Sequence, residues 1–200
     1  MHTARFPRTV VSLALGGFAA LVCAGCVVAI GNKGTNPEDE SLPWHEAHEA
    51  SSSRQGFASA TLRPRSGSSL SGHATFAETE DGVLVEVTVA GVEPGPHAVH
   101  VHETGDCSAD DASSAGGHFN PQGHEHGAPT AVAAHAGDLG NVWVGEDGRG
   151  RLALVTRDLT VAPGPHSVVG RAIIVHAVAD DMVSQPSGAA GARIGCGVIR

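Results

Sequence analysis

Six histidines and one aspartate place the strongest constraint on this chain. His100 and His102 form a His-x-His pair, His118 follows, then His126, His135 and Asp138, and finally His176. A lone histidine is usually structural. Seven imidazole or carboxylate side chains at these spacings are enough for two metal ions, so the fold must bring distant residues together. On a β-strand alternate side chains share a face, so His100 and His102 can chelate one ion. His118, His126, His135 and Asp138 sit in a Gly/Pro/Ala-rich stretch that can fold around an ion and present its ligands tetrahedrally. Three imidazoles with one carboxylate suit zinc, whereas an all-imidazole set suits copper. None of these ligands is a cysteine, which argues against a zinc ribbon or finger. No His-Glu-x-x-His occurs, which argues against a zinc hydrolase.

The surrounding sequence reads as β-structure. Val83, Val85, Val87 and Val89 alternate with Leu84, Glu86 and Thr88, the period-two pattern of a half-buried strand. Similar short runs predict strands near 55–62, 70–77, 83–90, 96–102, 141–146, 150–156, 168–177 and 194–199. Glu80-Asp81-Gly82 and Glu146-Asp147-Gly148 supply tight turns. Eight antiparallel strands without a helical pattern imply a closed barrel or a sandwich. The apolar fraction of 41% is ample for a core. Aromatic residues are only 4% and the net charge is −9, so nucleic acid and anionic membrane surfaces are poor partners.

The first fifty-odd residues differ in character. Arg5 and Arg8 precede an apolar run, Val10 to Val22, and Ala24-Gly25-Cys26 resembles a bacterial lipobox with Cys26 as the lipidated residue. Cys23 stands where leucine is usual. Ordinary cleavage and an uncleaved anchor are the alternatives, because apolar character continues through Val27-Val28-Ala29-Ile30. All three routes export the following domain into a compartment that permits disulfides. Residues 1–26 are thus read as a signal segment, 27–54 as a flexible linker, and 55–200 as the folded domain. Within the linker, His45 and His48 form a His-x-x-His pair, read as part of a solvated spacer. Cys107 and Cys196 are the two cysteines left to the domain.

Several motifs occur together and in order: His100-Val101-His102-Glu103, Gly105-Asp106-Cys107, Gly116-Gly117-His118-Phe119-Asn120-Pro121, His126-Gly127, His135-Ala136-Gly137-Asp138-Leu139-Gly140-Asn141, Val175-His176, Asp180-Asp181, and Gly191-Ala192-Arg193-Ile194-Gly195-Cys196-Gly197. Residues 55–200 resemble the copper,zinc superoxide dismutases in their bacterial form. The resemblance implies an all-β fold: an eight-stranded, flattened Greek-key barrel with immunoglobulin-like sandwich architecture. Two long functional loops are expected, at 103–140 and 177–193. It also implies a disulfide between Cys107 and Cys196.

The same resemblance assigns roles. One copper ion per subunit would be held by His100, His102, His118 and His176. One zinc ion would be held by His118, His126, His135 and Asp138, with His118 as the shared bridge. Asp180 would accept hydrogen bonds from His100 and His126 and so orient both rings. Arg193 would attract the substrate, superoxide. The expected reaction yields dioxygen and hydrogen peroxide from two superoxide ions, with His118 taking up and releasing a proton. His97 is expected to brace barrel and loop, and His124 to be solvated. The second reading is a metal-binding relative without catalysis. The 177–193 segment carries no basic residue before Arg193 and Lys33 is the only lysine, so electrostatic steering is expected to be weak.

Overall fold

A computed structural model describes residues 56–200 of the chain. The signal segment, Cys26, the linker and its His45/His48 pair lie outside the described residues.

Eight strands form one closed antiparallel barrel. They are β1 (Phe57–Pro64), β2 (Ser71–Thr79), β3 (Gly82–Ala90), β4 (Gly95–His102), β5 (Asp138–Val144), β6 (Arg149–Thr156), β7 (Ala172–His176) and β8 (Arg193–Val198). Their order around the wall is β1-β2-β3-β6-β5-β4-β7-β8. The adjacency of β3 to β6 and of β4 to β7 gives the Greek-key crossovers. Closure leaves no free sheet edge among these strands.

Period-two patterning explains the interior. Val83, Val85, Val87 and Val89 are all buried, while Leu84, Glu86 and Thr88 face outward. They meet Leu62, Phe76, Val99, Val101, Ile173 and Val175 in one apolar core. Because Val99 and Val101 point inward, His100 and His102 must point out from the same wall. Both are nevertheless buried. Loop residues cover them, so the site lies between the barrel wall and its loops rather than inside the barrel.

Strand boundaries differ from expectation where local backbone overrides the side-chain pattern. β5 begins at Asp138, because Asp138 pairs with His100 across a bulge that places the extra residue in β5, beside Gly140. β7 begins at Ala172 rather than near 168. Gly170 has φ +82°, and the Arg171 amide turns back to the Val168 carbonyl, so the apolar pair Val168-Val169 does not extend into the sheet. The two expected loops are 103–137 and 177–192, which places Asp138 and Arg193 on strands. A third long connection, 157–171, carries the β6 to β7 crossover, and Glu78 accepts hydrogen bonds from the Val161 and Ala162 amides.

The 103–137 loop is tied down at several points. Cys107 and Cys196 form a disulfide, joining the loop to β8 across 89 residues. Chain-entropy arguments give such a closure roughly 4–5 kcal/mol. The guanidinium of Arg171 lies 3.5 Å from the centre of the Phe119 ring, beside His118, and donates to the Glu103 carbonyl. Backbone bonds knit the rest: Val101 N–H to Gly137 O, Phe119 N–H to Val101 O, and Gly137 N–H to Phe119 O. Gly137 is required there, since a Cβ would sit 2.3 Å from the Val101 carbonyl oxygen.

Candidate metal centre

The ligand residues arrive from different parts of the fold and converge. His100 and His102 come from β4, Asp138 opens β5, His176 closes β7, and His118, His126 and His135 come from the loop between β4 and β5. His100, His102, His118 and His176 have donor atoms all within 4.8 Å of one another, as do His100, His118, His126 and Asp138. His135 adjoins the second group: its Nδ1 is 3.4 Å from His118 Nδ1 and 3.3 Å from Asp138 Oδ1. His100 appears in both groupings, but it has only one free nitrogen to offer.

That conclusion follows from the hydrogen bonds. Carbonyl and carboxylate oxygens accept, so a ring nitrogen facing one must carry the proton. His100 Nε2 donates to Asp180 Oδ2 at 2.8 Å, leaving Nδ1 with a lone pair. His102 Nδ1 donates to the Gly116 carbonyl at 2.9 Å, leaving Nε2. His176 Nδ1 donates to the Gly191 carbonyl at 3.3 Å, again leaving Nε2. His126 Nε2 donates to Asp180 Oδ1 at 2.8 Å, leaving Nδ1. Each of those remaining nitrogens, together with His118 Nε2, is buried without a hydrogen-bond partner.

Burial sets the protonation state. It pushes His100 down to about 4, against the upward pull of the Asp180 hydrogen bond. It pushes His102 down to about 2 and His176 to about 3. These rings are therefore neutral near pH 7, with one lone pair each. Burial raises Asp180, but hydrogen bonds from His100, the Met182 amide and His126 outweigh it and hold the carboxyl at about 2. Asp138 is also held below its ordinary value: burial raises it, and hydrogen bonds from His118 and the Gly127 amide lower it further.

The residues fit a pair of cations. Asp138 Oδ2 lies 3.1 Å from the lone-pair nitrogen of His126, and two ring nitrogens, His118 Nδ1 and His135 Nδ1, face each other at 3.4 Å. Such contacts between electron-rich atoms need a proton or a cation among them, and the convergence of three imidazoles and a carboxylate on one point suits a cation. His118 Nδ1 belongs to this group, while its Nε2 faces the His100, His102 and His176 side. Imidazole and carboxylate donors suit zinc and copper rather than a hard oxygen-seeking ion.

Arg193 pairs with His176 in the β7–β8 ladder and lines the same cavity of about 390 Å³ as His102, His118 and His176. It is the only formally charged side chain lining that cavity. Its two terminal nitrogens donate to the Ala112 carbonyl at 2.7 Å and the Gly116 carbonyl at 2.8 Å. Gly116 O also accepts from His102, so one carbonyl fixes the guanidinium relative to a ligand ring. Burial lowers the Arg193 pKa and Asp111 opposes that shift; a guanidinium remains cationic throughout the neutral range.

Other histidines take lesser places. The ring nitrogens of His97 lie 2.9 Å from the carbonyl oxygens of His176 and Glu93, joining β4 to the end of β7. His124 is not simply solvated as expected: it is half-buried, and Nδ1 lies 3.1 Å from the Ala134 carbonyl, because Asn120 folds the loop around it.

Sequence reasoning missed the residues that hold Asp180 and His126. The Asn141 side chain donates to Asp180 O at 3.0 Å and accepts from the Asp180 amide at 2.7 Å. Gln185 clamps the His126 backbone likewise, at 2.8 and 2.9 Å. Gly188, at φ +66°, packs so closely that a Cβ would lie 1.9 Å from Asp180 Oδ1 and 2.7 Å from His126 Nε2. The Gly140-Asn141 step carried a sequence signal, but nothing in the run around Gln185 and Gly188 marked either residue.

Comparisons with known proteins agree with this geometry. The family described as copper/zinc superoxide dismutase (SODC) matches residues 70–199. The crystal structure of the clock protein EA4 is similar, with a TM-score of 0.66 and 39% sequence identity; the match covers 73% of this chain and 94% of that one.

The lowered pKa values give the metal-free protein a defined acid response. Below their ordinary value of 6.5, His100, His102 and His176 bind more protons unfolded than folded. Their contribution to stability is fully present above about pH 6.5 and is lost as pH falls toward 2. Asp180 acts in the same direction below its ordinary 3.8. The urea midpoint of the metal-free protein should fall steadily from pH 7 to pH 4. A flat or rising midpoint over that range would contradict the neutral-imidazole arrangement.

Proposed function

The chain belongs to the copper/zinc superoxide dismutase family and is an oxidoreductase of that class; we propose that it dismutates superoxide outside the cytoplasm, with one copper and one zinc ion held by the residues described above. Copper is assigned to His100 Nδ1, His102 Nε2, His118 Nε2 and His176 Nε2. Zinc is assigned to the Nδ1 atoms of His118, His126 and His135 with Asp138. The observation that carries this reading is the difference between His118 and its neighbours. The other copper-side rings each spend one nitrogen on an oxygen that is not a candidate ligand, whereas His118 Nδ1 meets only candidate zinc ligands, Asp138 Oδ1 and His135 Nδ1, and its Nε2 is left buried beside the copper-side rings.

When bound, copper supplies one-electron exchange with superoxide, and zinc supplies a fixed charge that holds its ligands without changing valence. The protein's side chains do the rest. Arg193 binds the incoming anion through guanidinium donors left free by its two carbonyl contacts. His118, which lines the same cavity, would hold a proton at Nε2 whenever that nitrogen is not engaged by the metal, and could return it to the peroxide product. Asp180 holds the His100 and His126 rings at their angles and raises their basicity. Two superoxide ions and two protons thereby become dioxygen and hydrogen peroxide.

The exported location rests on the sequence of residues 1–26, with Cys26 as the point of lipid attachment and membrane tethering. Metal analysis together with superoxide consumption tests the whole reading. About one copper and one zinc per chain with rapid consumption is expected. A protein that binds both metals and leaves superoxide untouched would sink it and favour the non-catalytic reading.

Three substitutions sharpen the assignment. Arg193→Ala should leave both metals bound, slow superoxide consumption and remove the attractive part of its salt dependence, because it removes charge without removing a ligand. Rates unchanged across ionic strength would place steering elsewhere. Asp180→Asn should loosen zinc more than copper, by about 10–100-fold in affinity. His126 sits in an irregular loop and depends on the carboxylate, whereas β4 already directs His100. Competitive chelation with both metals quantified decides it; loss of copper with zinc retained would refute the role. Cys26→Ala should release the protein from the membrane fraction or stall its precursor, since only that thiol can carry the lipid. Mass spectrometry finding an intact, unlipidated N-terminus on mature protein would favour an uncleaved anchor.

A further inference from the structure

A second concentration of positive charge lies on the outer face of β1 and β8. Ser59 and Arg200 exchange backbone hydrogen bonds of 2.8 and 2.9 Å, and Arg63 pairs with Cys196. Alternate residues share a face, so Ser59, Thr61 and Arg63 stand beside Arg200 and Cys196 on the outside of the wall. Arg65 folds back over the disulfide and donates to the Cys107 carbonyl. Together they line a cavity of about 400 Å³ over the Cys107–Cys196 bridge. It shares no lining residue with the metal cavity.

Charge bookkeeping makes this cavity unusual for an acidic protein. Three of the eight arginines among the described residues line it, and no aspartate or glutamate side chain does, so their three positive charges outnumber the one terminal carboxylate of Arg200. Arg151 and Arg157 have carboxylate partners in Glu86 and Asp81, but Arg63, Arg65 and Arg200 have none among the described residues. Arg65 Nε is moreover buried without a hydrogen-bond partner. Arg65 is held by the Pro64 and Cys107 carbonyls, and an anion in the cavity would offset the repulsion among the three arginines that line it. Their planar forks match the edges of a tetrahedral oxyanion, and the hydroxyls of Ser59 and Thr61 add donors.

We propose that this cavity binds a phosphate group, either as the free ion or as the headgroup of a phospholipid. The site is independent of the metal centre, so its test does not depend on the activity assigned above. Metal-loaded protein is titrated with inorganic phosphate by calorimetry at constant ionic strength. An Arg193→Ala background removes the guanidinium of the metal cavity, and phosphate should still bind. Adding Arg63→Ala and Arg200→Ala should then weaken binding by at least about tenfold. The Arg63→Lys, Arg200→Lys pair, which keeps charge and loses the fork, should weaken it less and guards against a folding defect. With Arg193 intact, the double alanine variant should consume superoxide at the parent rate.

Vesicles of phosphatidylglycerol separate the two sources. Sedimentation with vesicles that depends on Arg63 and Arg200 assigns the site to a headgroup, and binding of the free ion alone assigns it to a soluble phosphate. Unchanged phosphate affinity in the alanine variant, or displacement of phosphate by chloride at equal concentration, would overturn the proposal.

Discussion

Buried imidazole nitrogens without a hydrogen-bond partner are the constraint on which this structure turns. His100 Nδ1, His102 Nε2, His118 Nε2, His126 Nδ1 and His176 Nε2 are all removed from water without a protein partner. Each such orphan costs roughly 1–3 kcal/mol, so together they approach the net stability of a whole domain. A sequence under no other demand would replace these rings with aliphatic side chains. The chain instead spends hydrogen bonds on the opposite nitrogen of His100, His102, His126 and His176, to Asp180, Gly116 and Gly191, and so leaves the free one aimed into the site. A cation held there would be part of folding as well as of chemistry.

Strands and loops divide the work of aiming. His100, His102, Asp138 and His176 take their directions from ladder positions in a closed barrel. His118 has only an isolated bridge opposite His102, and His126 and His135 have no such frame; their loop is held by other means: the backbone knit through Gly137, the disulfide, and the Gln185 clamp on His126. Asp180 spans the two regimes, with one oxygen on a strand histidine and the other on a loop histidine. Its own place is fixed by Asn141 and left free of obstruction by Gly188. Loosening of the loop is therefore transmitted first to His126 and only then to the barrel side.

The sequence made the barrel strands and the ligand set legible because both depend on spacing. Val83 to Val89 alternate in sequence as they do in the core, and His100-Val101-His102 places two rings on one face by period alone. The Asp138 and Arg193 positions read as loop, because their strand character comes from pairing partners, His100 and His176, rather than from neighbours. The start of β7 after the turn at Gly170 escaped as well, because it is set by the backbone rather than by the apolar pattern. Gln185 and Gly188 left no trace at all. One acts through a side-chain amide clamping a distant backbone, the other through the absence of a Cβ against Asp180, and neither role has a periodicity.

Electrostatic capture of an anion by this chain works against its background. The formal net charge is −9, yet Arg193 is the only formally charged side chain lining the metal cavity. Charges farther away than about 8 Å are largely screened at physiological salt, so the distant carboxylates repel superoxide only at low ionic strength. Added salt therefore removes an unfavourable long-range field as well as part of the favourable short-range one. The two changes oppose each other, and the rate should vary less steeply with salt than in an enzyme ringed by several lysines and arginines. What cannot be screened away is the placement of Arg193 by the Ala112 and Gly116 carbonyls. Capture in this protein thus depends on local geometry, held by a loop that the disulfide ties to the strand bearing the arginine, more than on the field of the molecule as a whole.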